Sequence, residues 1–511
     1  MNEVYGLVSV TLVCLTTLGV GIFGLRLSRA TSDFYVAGRA VSPARNASAI
    51  GGEYLSAASF LGVAGLIYDR GVDMLWFPVG YTVGYVVLLV LVAAPLRRSG
   101  AYTLPDFAEA RLESTAIRRL CSALVVGIGW LYLLPQLQGA GLALNHVTGW
   151  PTWAGGLIVV VVVFTNVAAG GMRSITVVQA MQYWLKLTAI AVPAFVLLWV
   201  WLRAGHPGPT QVDPGWREPL WGFGQHEHPV YTNYSTLLAL SLGTMGLPHV
   251  VVRFYTNPEG QDARRTTVSV IALLGLFYVF PPVYAVLGRV YMPHLPAGTR
   301  SDTVVLNLPL AVLHGELAQV MAAVLAGGAF AAFLSTASGL VMSVSGVLDQ
   351  DLLRRRIARV TGDDAFRVQG FRLATALAVV VPYLASRVIE PLGLATTVGL
   401  AFAVAAATFA PLLMLGVWWP GLSTVGAAAG LVVGGGSAAT AVVTNFVVGS
   451  LPGWPGALLA QPAAWCTPLA FVMAVIVSLM TPSRIPRHTG RTLVRLHTPE
   501  AVLASRVPEP V

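Results

Sequence analysis

Three apolar runs carry polar groups whose types and spacing point to chemistry. The first is Gly51-Gly52-Glu53-Tyr54-Leu55-Ser56-Ala57-Ala58-Ser59, with a diglycine, a carboxylate and hydroxyls in mid-run. The second, Ala332-Phe333-Leu334-Ser335-Thr336-Ala337-Ser338, sets hydroxyls side by side. Adjacent hydroxyls and freed backbone carbonyls are hard oxygen ligands, and a set of neutral oxygens suits a monovalent cation. Bonds from Ser335 and Thr336 back to their own helix are the alternative. The third run, Gly243-Thr244-Met245-Gly246-Leu247-Pro248-His249, again interrupts an apolar stretch and leads to Arg253. A carboxylate in a membrane helix costs about 2.5 to 3.5 kcal/mol on insertion scales. Glu53 is therefore a coupling candidate, with structural support of a nearby cation as the alternative. His249 and Arg253 can gate or steer, or else pack and snorkel. Lys186 can pair with a carboxylate or with a substrate. His226-Glu227-His228 offers two imidazoles without a further ligand, and Cys14, Cys121 and Cys466 form no CxxC pair. No metal site beyond that for a monovalent cation is expected.

These residues need elements that hold them in a bilayer. Of 511 residues, 56% are hydrophobic and 10% charged, where soluble domains carry about 25% charge. The sequence predicts an all-α polytopic membrane protein with about thirteen transmembrane helices. They lie near 4–26, 46–68, 74–96, 119–146, 153–170, 174–203, 233–253, 266–290, 314–348, 371–388, 394–417, 423–447 and 463–481. The start, Met1-Asn2-Glu3, lacks a basic n-region, so the first span is expected to persist as a helix. Residues 1–482 form the transmembrane domain, with core repeats at about 46–203 and 233–417. Residues 483–511 read as a basic cytoplasmic tail, disordered or lying on the membrane surface. The external loop 204–232 is too short for an independent core.

Of the 31 basic residues, 24 fall on one face, in groups such as Arg97, Arg98, Arg111, Arg118 and Arg119, or Arg354, Arg355, Arg356 and Arg359. The opposite face has Arg70, Arg203, Arg217, Arg289, Arg300 and Arg387. The positive-inside rule then puts the amino terminus outside and the carboxyl terminus in the cytoplasm of a plasma (inner) membrane protein. The net charge of +9 reflects this topology; no basic patch is interleaved with aromatics, so no nucleic-acid partner is expected.

The Gly-rich interruptions in the second and seventh spans lie five spans apart, so the helices bearing them run in opposite directions. That arrangement marks an inverted repeat with discontinuous helices around a central site. Close packing through small-residue faces is the competing explanation.

Five ordered motifs now carry a family resemblance: Ser32-Asp33-Phe34-Tyr35-Val36-Ala37-Gly38-Arg39, the run from Tyr54 to Gly62, Tyr102-Thr103-Leu104-Pro105-Asp106-Phe107, Gly170-Gly171-Met172, and the run from Gly246 to Phe254. They resemble the sodium:solute symporter family, most closely its cation/acetate symporter (acetate permease, monocarboxylate) branch. The resemblance implies a LeuT-type core of two inverted five-helix repeats. It places a sodium site on the carbonyls of Gly52, Leu55 and Ala332 and the hydroxyls of Ser335 and Thr336. Two positions depart from the pattern: Glu53 stands where the branch usually has Asp, and Gln179 where relatives carry an Asp that helps the cation inward.

Between the two breaks, half-helix ends suit an anionic carboxylate. The expected substrate site is Ala57, Ala58 and Ser59 on one side and Gly243, Thr244 and Gly246 on the other. Small side chains at Ala58 and Ser59 leave no array for a polyol. The reading is a secondary transporter that takes up acetate, propionate or pyruvate with sodium by alternating access, using no cofactor. Proton coupling through Glu53, or another small solute such as proline, is the alternative. No GxxxxGK[ST] pump motif, HExxH or Ser/His/Asp constellation is present, and no catalytic residues are expected.

Overall fold

A computed structural model describes residues 3–25, 37–209, 214–220, 228–296, 298–353, 366–389, 392–449, 451–500 and 502. Residues 32–36 of the first motif, His226, Glu227 and the arginine run 354–359 lie outside the described residues. The described chain is helical, without a strand. We label α1 Glu3–Leu25, α2 Pro43–Tyr54, α3 Ala58–Arg70, α4 Trp76–Leu91, α5 Leu104–Leu112, α6 Thr115–Thr148 and α7 Thr152–Arg203. The second half comprises α8 Pro229–Gly246, α9 Pro248–Phe254, α10 Gly260–Tyr291, α11 Gly315–Val347, α12 Phe366–Val388, α13 Leu394–Trp418, α14 Thr424–Val448, α15 Ala463–Met480 and α16 Thr489–His497.

Among the described residues, ten helices are long and apolar enough to span a bilayer, or twelve when two bent pairs each count as one span. The bent pairs are α2 with α3, at 68°, and α8 with α9, at 47°. These are the second and seventh spans that the sequence marked as discontinuous. The 52-residue α7 is too long to cross once at about 1.5 Å per residue, and it breaks at Gly171, where φ is +60° and ψ −170°. Only glycine takes that conformation readily. Counting α7 as two brings the spans to the thirteen expected.

Each break has a local cause. At the end of α2, Leu55 leaves the helical region (φ −74°, ψ 86°), so carbonyls in the last turn lose their usual partners. In the seventh span, Leu247 is extended and Pro248 opens α9. Proline cannot donate to the preceding turn and pushes the residue before it out of helix. The motif from Tyr102 to Phe107 proves to be a capping box: the Thr103 side chain accepts from the Asp106 amide while Asp106 accepts from the Thr103 amide. Such reciprocal caps satisfy donors that a helix start leaves unpaired.

The tail differs from expectation. In its described part, to Glu500, the expected disorder gives way to a docked helix, α16, with Leu496 fully buried. Arg111, itself buried, explains the docking: its Nε donates to the Gly416 carbonyl at 2.8 Å, Nη2 to the Trp419 carbonyl at 3.1 Å, and Nη1 to Thr489 Oγ1 at 3.1 Å. One guanidinium thus satisfies the carbonyl end of α13 and fastens α16 to it. Glu500 adds a salt bridge to Arg98 at 3.3 Å and accepts from the Gly260 amide.

Candidate functional site

Gly52 can approach α7 closely because it lacks a Cβ; one added there would meet the Gln179 carbonyl oxygen at 2.1 Å. This contact sets the end of α2 against α7, and α11 packs on α7 as well. The break therefore opens between α7 and the hydroxyl pair of α11. The Ser335 hydroxyl donates to the Gly52 carbonyl at 2.7 Å, with the Ala332 carbonyl at 3.1 Å as its alternative acceptor. Thr336 Oγ1 donates to the Glu53 carbonyl at 2.5 Å. Four of the five residues expected to hold sodium, Gly52, Leu55, Ala332 and Ser335, thus gather their oxygens, while Thr336 turns to the neighbouring carbonyl.

A cationic side chain already sits among those oxygens. Lys186, fully buried on α7, donates from Nζ to the Leu55 carbonyl at 2.8 Å, to Ser335 Oγ at 2.7 Å and, by a short contact, to the Gly52 carbonyl. An ammonium has three donors, and here it has three acceptors. The sequence singled out Lys186 but tied it to a carboxylate or substrate; its true signal was a lone lysine in an apolar run, for which carbonyls are equally good partners.

The Glu53 carboxylate is occupied elsewhere. Arg253 Nε bonds its Oε2 at 2.6 Å with both side chains buried. Arg253 also donates from Nη1 to Thr176 Oγ1 at 2.8 Å and from Nη2 to Gln179 Oε1, while Gln179 Nε2 donates to the Ser335 carbonyl at 2.7 Å. Gln179 thereby takes up guanidinium and carbonyl together, linking the ion pair to Ser335. Gly339 makes room for Glu53, since a Cβ there would lie 1.9 Å from Oε1. A buried ion pair needs its remaining lone pairs and protons bonded to offset desolvation; here Arg253 is bonded across three helices, while Glu53 Oε1 is left without a partner among the described residues. Arg253 is thus the buried partner of a carboxylate rather than a snorkelling end residue.

The expected substrate residues separate into two groups. Ser59 Oγ meets the Tyr278 hydroxyl at 2.8 Å, and the Ala57 amide donates to Gln136 Oε1 at 3.0 Å. Ala58 is buried in the first turn of α3. Thr244 donates to the Leu240 carbonyl at 2.7 Å and accepts from the Tyr54 hydroxyl at 2.8 Å. Gly243 and Gly246 face α13: a Cβ would meet the Phe402 carbonyl oxygen at 2.4 Å and that of Ala405 at 2.5 Å. They let α8 lie against α13.

An aromatic cluster that the sequence did not announce lies between the breaks. Ring centroids lie 4.8 Å apart for Tyr54 and Tyr85, 5.2 Å for Tyr81 and Phe402, 5.8 Å for Tyr81 and Tyr278, and 5.2 Å for Tyr132 and His249. Tyr81 and Tyr85 share a face of α4 by their four-residue spacing, which was the available signal. Among the described residues, the Tyr81 and Tyr85 hydroxyls and both His249 ring nitrogens are buried without a hydrogen-bond partner. Outside this cluster, on the face that carries Arg70, Arg289 and Arg300, a cavity of about 540 Å³ is floored by Leu66, Leu394 and Ala395.

Comparisons with known proteins agree with this architecture. The sodium:solute symporter family matches residues 34–434. An uncharacterized symporter of Bacillus subtilis, YwcA, is 31% identical over 446 residues, covering 85% of each chain. A monocarboxylic acid transporter of Corynebacterium glutamicum is 30% identical over 494 residues, covering 89% of this chain and 88% of its own. Among solved structures, a Na+-coupled sialic acid symporter superimposes with a TM-score of 0.70 at 16% identity, over 94% of this chain and 97% of that one. A nucleobase-cation-symport-1 family transporter gives 0.51 at 14% identity, over 91% and 99%. At these identities the structures speak for the shared LeuT-type fold alone.

Proposed function

Because the chain belongs to the sodium:solute symporter family and is a multi-pass membrane transporter rather than an enzyme, we propose that it carries a short-chain monocarboxylate into the cell together with sodium. Acetate, propionate and pyruvate are the candidate solutes. The observation that carries this reading is the set of buried, unpartnered polar groups between the two breaks, the Tyr81 and Tyr85 hydroxyls and the His249 ring. A buried donor without a partner costs about 1 to 3 kcal/mol, and a small carboxylate is a compact acceptor for such donors. The small side chains of Ala58 and Ser59 supply no polar array of the kind a sugar needs. The name of the Corynebacterium relative lends support.

In this reading, sodium binds among the oxygens of Gly52, Leu55, Ala332, Ser335 and Thr336. The carboxylate binds near Ser59 and Thr244, and Glu53, Arg253 and His249 lie between this region and the cytoplasm. The amino terminus faces outward, so the 540 Å³ cavity, whose lining sets Arg70, Arg289 and Arg300 beside Asp69 and Asp302, opens outward. Gly243 and Gly246 contribute by holding α8 rather than by touching solute.

Uptake of labelled acetate into proteoliposomes under an imposed sodium gradient tests the proposal. Sodium-stimulated uptake that falls at least tenfold in Ser335→Ala/Thr336→Ala, and in Tyr81→Phe/Tyr85→Phe, supports it. No uptake of any of the three acids under either a sodium or a pH gradient overturns the substrate assignment.

A further inference from the structure

The cation seat at the first break is occupied by a group belonging to the chain itself. Lys186 Nζ lies at hydrogen-bond distance from Leu55 O and Ser335 Oγ, at 2.8 and 2.7 Å, and contacts Gly52 O. These are the oxygens on which a sodium ion would have to rest. Among the described residues no carboxylate lies in ion-pair contact with the lysine, and Glu53 Oε2 bonds Arg253. The lysine nitrogen therefore rests directly on neutral oxygens, as a bound sodium would, with the Glu53–Arg253 pair beside it. Lysine suits the role because its ammonium is a compact point charge on a flexible stem, of the same sign and hardness as an alkali ion. The stem is anchored on α7, and the oxygens come from α2, the break and α11, so the lysine ties together the three elements that a cation would tie.

We propose that the Lys186 ammonium and a sodium ion are alternative occupants of one seat: the lysine holds the seat in the conformation described here, and sodium binds only after the lysine withdraws. The consequence is a transporter whose sodium affinity is set by an internal competitor. It also follows that the seat keeps its shape without sodium, since the ammonium saturates the same carbonyls and hydroxyl. The proposal rests on the cation part of the reading above and is independent of the identity of the solute.

The test is sodium binding to the purified full-length protein without any solute, read by radiolabelled sodium and by sodium-dependent thermal stabilisation, with choline holding the ionic strength constant. Lys186→Met keeps an unbranched side chain without its charge and is expected to lower the half-saturating sodium concentration at least tenfold. Adding Ser335→Ala to Lys186→Met is expected to abolish that gain, which separates a shared seat from a general change of local potential. Lys186→Gln gives a second variant should the first fail to yield monodisperse protein. Half-saturation that is unchanged in both lysine variants, or a gain that survives Ser335→Ala, overturns the proposal. Since no solute is used, an absence of acetate uptake would count against the substrate reading and leave this comparison intact.

Discussion

The two broken spans occupy matching places in the two repeats, yet they are closed by different forces. At the first, the carbonyls freed by Leu55 are met by charge: Lys186 on Gly52 and Leu55, with the Glu53–Arg253 pair immediately beside them. At the second, Leu247 and Pro248 are met by packing: Gly243 and Gly246 press on α13, and the Tyr54 hydroxyl reaches Thr244 across the gap. The fold's pseudo-symmetry therefore supplies two openings, and side chains fill one with buried charge and the other with close packing. On the proposal above, the charged opening exchanges occupants, a cation for a cation. A seam of glycine against carbonyl oxygen has no such alternative and serves as a fixed edge.

The strongest way to break this contrast is to remove charge from the first opening. Arg253→Ala leaves Glu53 buried without its partner, and a cost of about 3 to 5 kcal/mol is expected, seen as loss of monodisperse protein or a marked fall in thermal midpoint. Replacing both partners, as Glu53→Gln/Arg253→Met, should recover much of that loss, because an uncompensated charge is the main penalty. Recovery no better than that of the single variant would mean the pair is valued for its bonds to Thr176 and Gln179 instead.

At the second opening the expected effect is smaller and steric. Gly243→Ala must displace the Phe402 carbonyl, at about 1 to 3 kcal/mol for overpacking, with sodium binding at the first opening unchanged. A change in sodium affinity in this variant would show that the two openings are mechanically coupled. Smaller again is Tyr54→Phe, which removes the hydrogen bond between Tyr54 and Thr244 and should cost about 1 kcal/mol, measured as a shift in thermal midpoint. Thr244→Val should reproduce it, and the two should not add.

The smallest effect lies outside the membrane and serves as a reference for both openings. The His488 backbone amide donates to Glu113, and this holds the carboxyl below its ordinary value of 4.5. A depressed carboxyl stabilises the fold above its unfolded-state value, and the contribution disappears as pH falls through the folded value. The acid limb of a thermal-stability profile should therefore flatten slightly in Glu113→Gln. Glu113 is exposed, so the change should be slight, and it should shrink further in high salt.

Much of this was legible in the sequence because a bilayer enforces local rules. Apolar runs of sufficient length become spans, and glycine or proline in mid-span becomes a break; both are consequences of backbone hydrogen bonding in a medium that offers no partners. The Leu247-Pro248 break, and a break just after the diglycine of the second span, follow from such rules together with the family motifs, though the helix ends at Leu55 rather than at Gly51-Gly52. The docked tail was not legible, because the polar end of α16 finds its partner in Arg111, 378 residues away in sequence. An arginine on that face reads as a topology signal until its acceptors are known.

What the sequence determined by itself was the class of molecule, the number of spans, the places where helices break and the kinds of ligand atom those breaks present. These depend on composition and on spacing along one helix. Which charge meets which oxygen was decided by tertiary structure alone. Lys186 and Glu53 stand 133 positions apart and either was a plausible partner for the other; Arg253, reaching from the second repeat, takes the carboxylate, and the lysine is left to the carbonyls. Pairing of buried charges is a competition among all groups brought within a few ångströms of one another, and only the folded chain decides who competes.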